Sequence, residues 1–172
     1  MKGSVSILLL EDNPQMRTLL TVILDSFGFK TVHGANSIPD AMNRCAQHQY
    51  DLILVDQLLA KGVTGLDFVR WMRMSPESTH TMVPVIAVSS YSERRRILEA
   101  INAGVDEFLV KPLAPKDLAA RITAVTKKRR QYVRTTDYFG PCRRRQVLSN
   151  YRGPQRRCDD PENVGKSEVL EL

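Results

Sequence analysis

The apolar run between Asp51 and Asp56, Leu-Ile-Leu-Val, constrains the fold of this chain more than any other stretch. Consecutive apolar residues, two of them β-branched, are typical of a strand that is buried on both faces in a parallel sheet. Open α/β sheets bind their ligands beyond the carboxyl ends of such strands. Asp56 stands at that end, so it is a candidate functional residue, although aspartate is also a common turn former.

The same pattern recurs along the first three quarters of the chain. Apolar runs predict strands at residues 5–10, 29–33, 52–55, 84–89 and 107–110, and apolar residues at helical spacing follow each of them. Asn13, Ser37 and Ser92 are predicted helix caps, and Gly104 is predicted to end the fourth helix. This alternation predicts an α/β fold, (βα)5, with a doubly wound five-stranded parallel sheet. Its length fits the flavodoxin-like strand order 2-1-3-4-5.

Polar and charged residues stand at the ends of four predicted strands. That strand order brings together Glu11, Asp12, Asp56, Ser89 and Lys111. Clustered carboxylates repel one another unless a cation lies among them, and oxygen ligands without His or Cys favour Mg²⁺. A lysine and a hydroxyl opposite would bind phosphoryl oxygens, and Asp56 would be the nucleophile that forms an acyl phosphate. Each residue alone could instead be a cap, a turn residue or a surface cation.

At these residues the chain resembles the receiver domain of bacterial two-component response regulators, of the chemotaxis-regulator type. The resemblance covers roughly residues 4 to 127 and depends on four motifs together. They are Leu8-Leu9-Leu10-Glu11-Asp12-Asn13, Leu54-Val55-Asp56, Val85-Ile86-Ala87-Val88-Ser89-Ser90 and Phe108-Leu109-Val110-Lys111-Pro112.

The resemblance implies a role for each residue of the predicted site. Glu11 and Asp12 would hold Mg²⁺ together with Asp56, and the backbone carbonyl of Leu58 would add a further ligand. A sensor histidine kinase or a phosphotransfer protein would phosphorylate Asp56, and Lys111 would bind the phosphoryl group. The chain would assist its own phosphoryl transfer and dephosphorylation, without being an enzyme that acts on a separate substrate.

The resemblance also implies a switch and a partner surface. Ser89 would move toward the phosphoryl group while Phe108 turns inward, and the Lys111–Pro112 peptide bond would be cis. A downstream protein would bind the face that runs from the fourth helix to the fifth strand, and the chain could also form a homodimer.

The loop after Asp56 departs from the family pattern. Leu59-Ala60 stands where members commonly have Met-Pro, and Gly65 follows the phosphoacceptor by nine residues where eight are common. Phe108 replaces a frequent tyrosine. We therefore expect this loop to be one residue longer than in most members.

The excess positive charge lies at the C-terminal end. Residues 1–126 contain 13 Lys+Arg and 13 Asp+Glu, whereas residues 127–172 contain 12 and 6. Residues 138–144 and 151–157 repeat the pattern Tyr-x-Gly-Pro-x-Arg-Arg. Low apolar content predicts that residues 128–172 form a basic extension, disordered or irregularly packed, beyond a receiver domain at 1–127. Deletion after Lys128 is therefore expected to leave a folded domain.

Function can be interpreted in three ways from these observations. We expect a single-domain response regulator. The alternative is a nucleic-acid-binding regulator whose basic, aromatic-containing extension is gated by the receiver. The extension would equally suit an acidic protein groove or the receiver's own acidic face. A flavodoxin-like cofactor binder is disfavoured, because acidic strand ends repel phosphate. The chain has no signal-peptide pattern, no membrane-length apolar run and no CxxC pair, so we expect a cytoplasmic protein.

Overall fold

The computed structural model describes residues 5–143 and the backbone of residues 168–170. Its first five strands are β1 (Ser6–Leu10), β2 (Thr31–Ala35), β3 (Leu52–Asp56), β4 (Val85–Ser89) and β5 (Glu107–Val110). Its helices are α1 (Pro14–Ser26), α2 (Ile38–Gln47), α3 (Gly65–Met74), α4 (Arg94–Ala103) and α5 (Pro115–Lys127). The strands pair in parallel in the order β2-β1-β3-β4-β5. The predicted fold class and strand order are thus confirmed.

The central sheet separates two hydrophobic cores. Ile53 and Val55 of β3 pack into one core with residues of α2, α3 and α4. Leu52 and Leu54 pack into the other core with residues of α1 and α5. Alternate side chains of a strand point to opposite faces, so a strand covered on both sides needs apolar residues at every position. This requirement explains the uninterrupted Leu-Ile-Leu-Val sequence.

Local capping explains several of the helix ends. Asn13 Oδ1 accepts from the backbone N–H groups of the second and third residues of α1, and Ser37 Oγ accepts from Asp40 N. Gly104 ends α4 with φ +93°, a left-handed conformation that glycine adopts without steric cost. The prediction for Ser92 was wrong. Glu93 is the N-cap residue of α4, and its side chain makes no capping hydrogen bond.

Two further segments differ from the sequence-based expectation. The second strand covers Thr31–Ala35, two residues later than predicted. The predicted loop after Asp56 contains a 3-10 turn at Ala60–Gly62. Gly65, predicted as the last residue of that loop, is the first residue of α3. The short 3-10 turn therefore accommodates the longer loop sequence.

Part of the C-terminal extension is regular structure, which corrects the prediction of disorder or irregular packing. Strands β6 (Tyr132–Thr135) and β7 (Tyr138–Pro141) form an antiparallel hairpin. A three-residue strand, β8 (Glu168–Leu170), pairs antiparallel with β6. The first Tyr-x-Gly-Pro sequence thus forms β7, whereas the second repeat lies outside the described residues.

The hairpin packs on the edge of the domain that is opposite to the strand end carrying Asp56. Tyr132 is fully buried, and its hydroxyl donates to both carboxylate oxygens of Asp106 at 3.0 and 3.1 Å. Asp106 also pairs with the buried guanidinium of Arg73 at 3.0 Å and accepts from Val85 N at 2.9 Å. We call Arg73, Asp106 and Tyr132 the Asp106 cluster.

The backbone of the hairpin also approaches the domain closely. A Cβ atom on Gly140 would lie 2.9 Å from Gly104 Cα and 2.8 Å from the hydroxyl oxygen of Tyr138. That hydroxyl donates to Pro141 O at 2.8 Å. Gly140 is therefore required for contact between the hairpin and the end of α4, and the Tyr-x-Gly-Pro sequence has a structural role here.

No helix in the described part of the chain has both the length and the apolar character that a membrane span requires.

Candidate functional site

The carboxyl ends of the inner strands bring the predicted site residues together. Gln57 N, just after Asp56, donates to Val88 O at 2.8 Å, which aligns the ends of β3 and β4. Lys111 N donates to Ser89 O at 2.7 Å, which aligns β4 with the segment after β5. The predicted cis peptide bond before Pro112 is present.

Three carboxylates form the acidic part of the site. Glu11, Asp12 and Asp56 each provide an oxygen atom, and these atoms lie within 4.8 Å of one another. Backbone N–H groups orient them: Ala60 N donates to Asp12 Oδ2 at 2.9 Å, and Leu58 N donates to Asp56 Oδ1 at 3.2 Å. A compact set of oxygen donors with two of its three carboxylates buried suits a hard divalent cation such as Mg²⁺.

Lys111 joins two of these carboxylates. Its ammonium group donates to Asp56 Oδ2 at 2.7 Å and to Glu11 Oε2 at 2.9 Å. Three carboxylates and one ammonium give this group a formal charge of −2, which a divalent cation would balance. The site therefore offers both the negative charge and the oxygen ligands that a divalent cation requires.

Burial and neighbouring charges shift two titrating groups. Burial raises the pKa of the Glu11 carboxyl and the negative charge of Asp56 raises it further, against hydrogen bonding from Lys111. Burial alone would lower the pKa of the Lys111 ammonium, but hydrogen bonds to Asp56 and Glu11 outweigh it, so this pKa is raised. Lys111 thus stays protonated at neutral pH, where it can bind anionic oxygen atoms.

The two predicted switch residues lie in β4 and β5, the two strands that follow β3 in the order of the sheet, on the side of Lys111. Ser89 is completely buried, and its hydroxyl oxygen accepts from Tyr91 N at 3.1 Å. Phe108 is half-buried and packs against the core beneath α2, α3 and α4. Leu58 lies two residues after the end of β3 and is 37% exposed, while the role of its carbonyl group stays a prediction.

The displaced glycine of the loop has a clear structural purpose. A Cβ atom on Gly65 would lie 2.0 Å from the carbonyl oxygen of Asp56 and 2.6 Å from Val55 Cγ2. Gly65 N also donates to Gln57 O at 3.1 Å. Only glycine lets α3 begin against the strand that carries Asp56.

Sequence reasoning missed two neighbours of the site. Arg17 donates to the backbone carbonyl of Glu11 at 2.7 Å, so it fixes the turn that carries two of the carboxylates. Gln57, next to Asp56, is 2% exposed, although a polar residue after a buried strand usually indicates the start of an exposed loop. The helical spacing of α1 gave no sign of the Arg17 contact, since it depends on the path of the turn.

Comparison with known proteins identifies the family. A family model described as the response regulator receiver domain matches residues 7–123. This chain belongs to the response regulator receiver family. The receiver domain includes β1 to β5 and most of α5, and the hairpin lies beyond the matched residues.

The receiver domain has curated relatives of known name. It is 31% identical over 122 residues to the phosphate regulon transcriptional regulatory protein PhoB of Escherichia coli, covering 71% of this chain and 52% of that protein. It is 30% identical over 119 residues to the DNA-binding response regulator MtrA of Mycolicibacterium smegmatis, covering 69% and 49%. The chain spans about half the length of the curated relatives it matches.

Solved structures show the same fold. The chemotaxis protein CheY4 of Vibrio cholerae superposes with a TM-score of 0.65 at 23% identity, covering 72% of this chain and 99% of that one. A receiver domain of a histidine kinase from Syntrophus aciditrophicus gives 0.62 at 25% identity, covering 72% and 91%. As a member of this family, the chain contains a receiver domain of the two-component signal transduction type.

Proposed function

We propose that Asp56 is the phosphoacceptor of this receiver domain, and that a histidine kinase or phosphotransfer protein is the donor in a Mg²⁺-dependent reaction. The observation that carries the proposal is the hydrogen bond from Lys111 to Asp56 within a cluster of three carboxylates. Asp56 is the member of that cluster at the end of the central strand β3. The chain would thus be a signalling phosphoprotein and not an enzyme with a separate substrate.

Each residue of the site would have a separate role in phosphoryl transfer. A carboxylate oxygen of Asp56 attacks phosphorus, the bond from phosphorus to the donor imidazole nitrogen breaks, and its electron pair stays on that nitrogen. Glu11, Asp12 and Asp56, with the Leu58 carbonyl, would hold Mg²⁺, which neutralises charge on the phosphoryl oxygens when bound. Lys111 would then donate to a phosphoryl oxygen.

The exposed apolar residues near β5 support the proposed output face. Tyr91 is 41% exposed, Leu98 on α4 is 46% exposed and Val110 at the end of β5 is 37% exposed. They belong to the segments that flank the predicted switch residues. We propose that a downstream protein binds this face, and that phosphorylation of Asp56 changes its affinity.

The first test is the metal requirement. Acetyl phosphate is incubated with the full chain in Mg²⁺ or in EDTA, and intact mass is measured. We expect one phosphoryl group per chain with Mg²⁺, and a rate lower by on the order of 100-fold in EDTA, as for loss of one electrostatic contact to the transition state. The Mg²⁺ concentration for half-maximal rate should rise as the pH falls through the raised pKa of Glu11, because the protonated carboxyl is a poorer ligand. Equal labelling in EDTA would contradict the proposal.

A second candidate function is binding of a polyanion by the C-terminal region. Its exposed cations in the described residues favour this candidate: Lys127, Lys128, Arg129, Arg134 and Arg143. The predicted stacking of bases on the aromatic residues does not apply to the three rings in the hairpin, since Tyr132, Tyr138 and Phe139 are buried. Within the described part of this region, affinity would therefore come from charge alone.

Salt dependence tests this second candidate. If those five cations contact phosphates of a single-stranded oligonucleotide, log affinity should fall with log salt at a slope of roughly −3.5. Fluorescence anisotropy of a labelled oligonucleotide measures this slope. The double variant Lys127→Glu/Lys128→Glu should make the slope less steep, whereas Lys30→Glu, at a distant exposed site, should not change it. No binding at low salt would exclude the candidate.

A further inference from the structure

The backbone of Gln57 is fixed by its neighbours. Its N–H donates to Val88 O at 2.8 Å, and its carbonyl accepts from Gly65 N at 3.1 Å and from Thr64 Oγ1 at 3.0 Å. These contacts connect it to β4 and to the start of α3. Because Gln57 directly follows Asp56, any displacement of the strand end on modification of Asp56 is transmitted first to Gln57.

The side chain of Gln57 reaches α4. Its Nε2 donates to Arg96 O, in the first turn of that helix, at 3.1 Å. A backbone carbonyl can only accept, so the side-chain atom that faces it must be the amide nitrogen, and the orientation of the amide is determined. The other end, Oε1, is buried and has no hydrogen-bond partner among the described residues.

The Nε2 contact connects the residue after Asp56 to the first turn of α4. A partly buried hydrogen bond of this kind stabilises the arrangement in which it forms, which here is the observed position of α4.

Helix α4 depends on few other contacts at this end. Its N-cap residue, Glu93, provides no capping hydrogen bond, and residues 90–95 are exposed. A second link to the site starts at Ser89 Oγ, which accepts from Tyr91 N, and the Tyr91 ring lies 5.6 Å from the guanidinium carbon of Arg96. The first turn of α4 is therefore connected to Asp56 by Gln57 and to Ser89 by Tyr91.

We propose that Gln57 is a positioning residue that holds α4 in the resting arrangement and couples the phosphoryl state of Asp56 to the position of that helix. The resting arrangement is the observed one, in which Lys111 binds the Asp56 carboxylate directly and Ser89 is bonded to Tyr91 N. A ligand shifts such an equilibrium only if it contacts the two states differently. This inference rests on the proposed function of Asp56.

The test replaces the amide by an apolar group of similar length. Gln57→Met removes the Nε2 donor to Arg96 O while filling the space, and Gln47→Met, at the exposed end of α2, is the matched control. Hydrogen exchange of the full chain is measured without ligand. The amides of Arg96 and Ile97, which donate to Glu93 O at the start of α4, should exchange about tenfold faster in Gln57→Met, as for loss of one hydrogen bond, and those of β1 should be unchanged. The control should match the wild type.

Affinity for beryllofluoride, a stand-in for the phosphoryl group, tests the coupling to Asp56. With Mg²⁺ present, Gln57→Met should bind it about fivefold more tightly than the wild type, since less is needed to leave the resting arrangement. Unchanged exchange in α4 would overturn the role of Gln57 in holding the helix. Faster exchange with unchanged affinity would overturn the coupling. Absence of beryllofluoride binding by the wild type would instead contradict the proposed function of Asp56.

Discussion

Deletion of the chain after Lys128 should destabilise the receiver domain by at least roughly 3–5 kcal/mol, the cost of emptying a buried aromatic site. Arg73 and Asp106 are 1% and 4% exposed, and the hairpin covers them. Deletion removes the Tyr132 hydroxyl that donates to Asp106 and exposes this pair to water. Urea denaturation followed by circular dichroism measures the change.

The matched control ends the chain after Arg143. This shorter chain keeps β6 and β7, and with them all the described contacts to the Asp106 cluster, while it lacks everything after Arg143, including β8. It should keep most of the stability of the full chain. Equal unfolding midpoints for the chains that end at Lys128 and Arg143 would show that the hairpin adds nothing to the domain.

Point variants separate the hydrogen bond from the packing. Tyr132→Phe keeps the ring but removes the donor to Asp106, so it should cost about 1–2 kcal/mol. Tyr132→Ala also empties a fully buried aromatic site and should cost roughly 3–5 kcal/mol. Burial raises the pKa of the Asp106 carboxyl, although the positive charge of Arg73 opposes this shift. Because Asp106 is shielded from water, no water molecule can easily replace the donor that Tyr132→Phe removes.

Replacement of Asp56 by Asn should abolish phosphoryl incorporation. The amide has nearly the same shape as the carboxylate, but it lacks the anionic oxygen that attacks phosphorus. Lys111 keeps its second hydrogen bond, to Glu11, so the fold should be preserved. Intact mass after incubation with acetyl phosphate and Mg²⁺ measures the effect. The control is Asp12→Asn, which retains the acceptor but loses a candidate metal ligand, so it should be labelled slowly rather than not at all.

The central sheet and its strand-end residues could be predicted because their signals are local. Leu52 to Val55 are apolar without a break, and only a strand covered on both faces requires that. Once the strand order is known, the carboxyl ends of β1, β3, β4 and β5 must be neighbours. The proximity of Glu11 and Lys111, one hundred positions apart in the sequence, follows from this order.

Composition could not predict the hairpin, because its few apolar residues lie within a long basic segment of low average hydrophobicity. Its apolar signal consists of two short pairs, Tyr132-Val133 and Tyr138-Phe139, on either side of a polar turn. What stabilises it is tertiary contact with Asp106, whose need for a further donor is not visible in the sequence around it. The start of α4 was misplaced for a related reason. Serine favours the cap position, yet the chain continues to Glu93 before it turns into a helix without a capping side chain.

The position of the phosphoryl group tests the function of this receiver domain most directly. The full chain is labelled with acetyl phosphate in the presence of Mg²⁺, digested, and mapped by tandem mass spectrometry. If Asp56 is the phosphoacceptor, the added mass lies on Asp56, and the corresponding peptide of Asp56→Asn carries none. A phosphoryl group on Glu11, on Asp12 or outside the acidic cluster, or equal labelling of Asp56→Asn, would contradict the assignment.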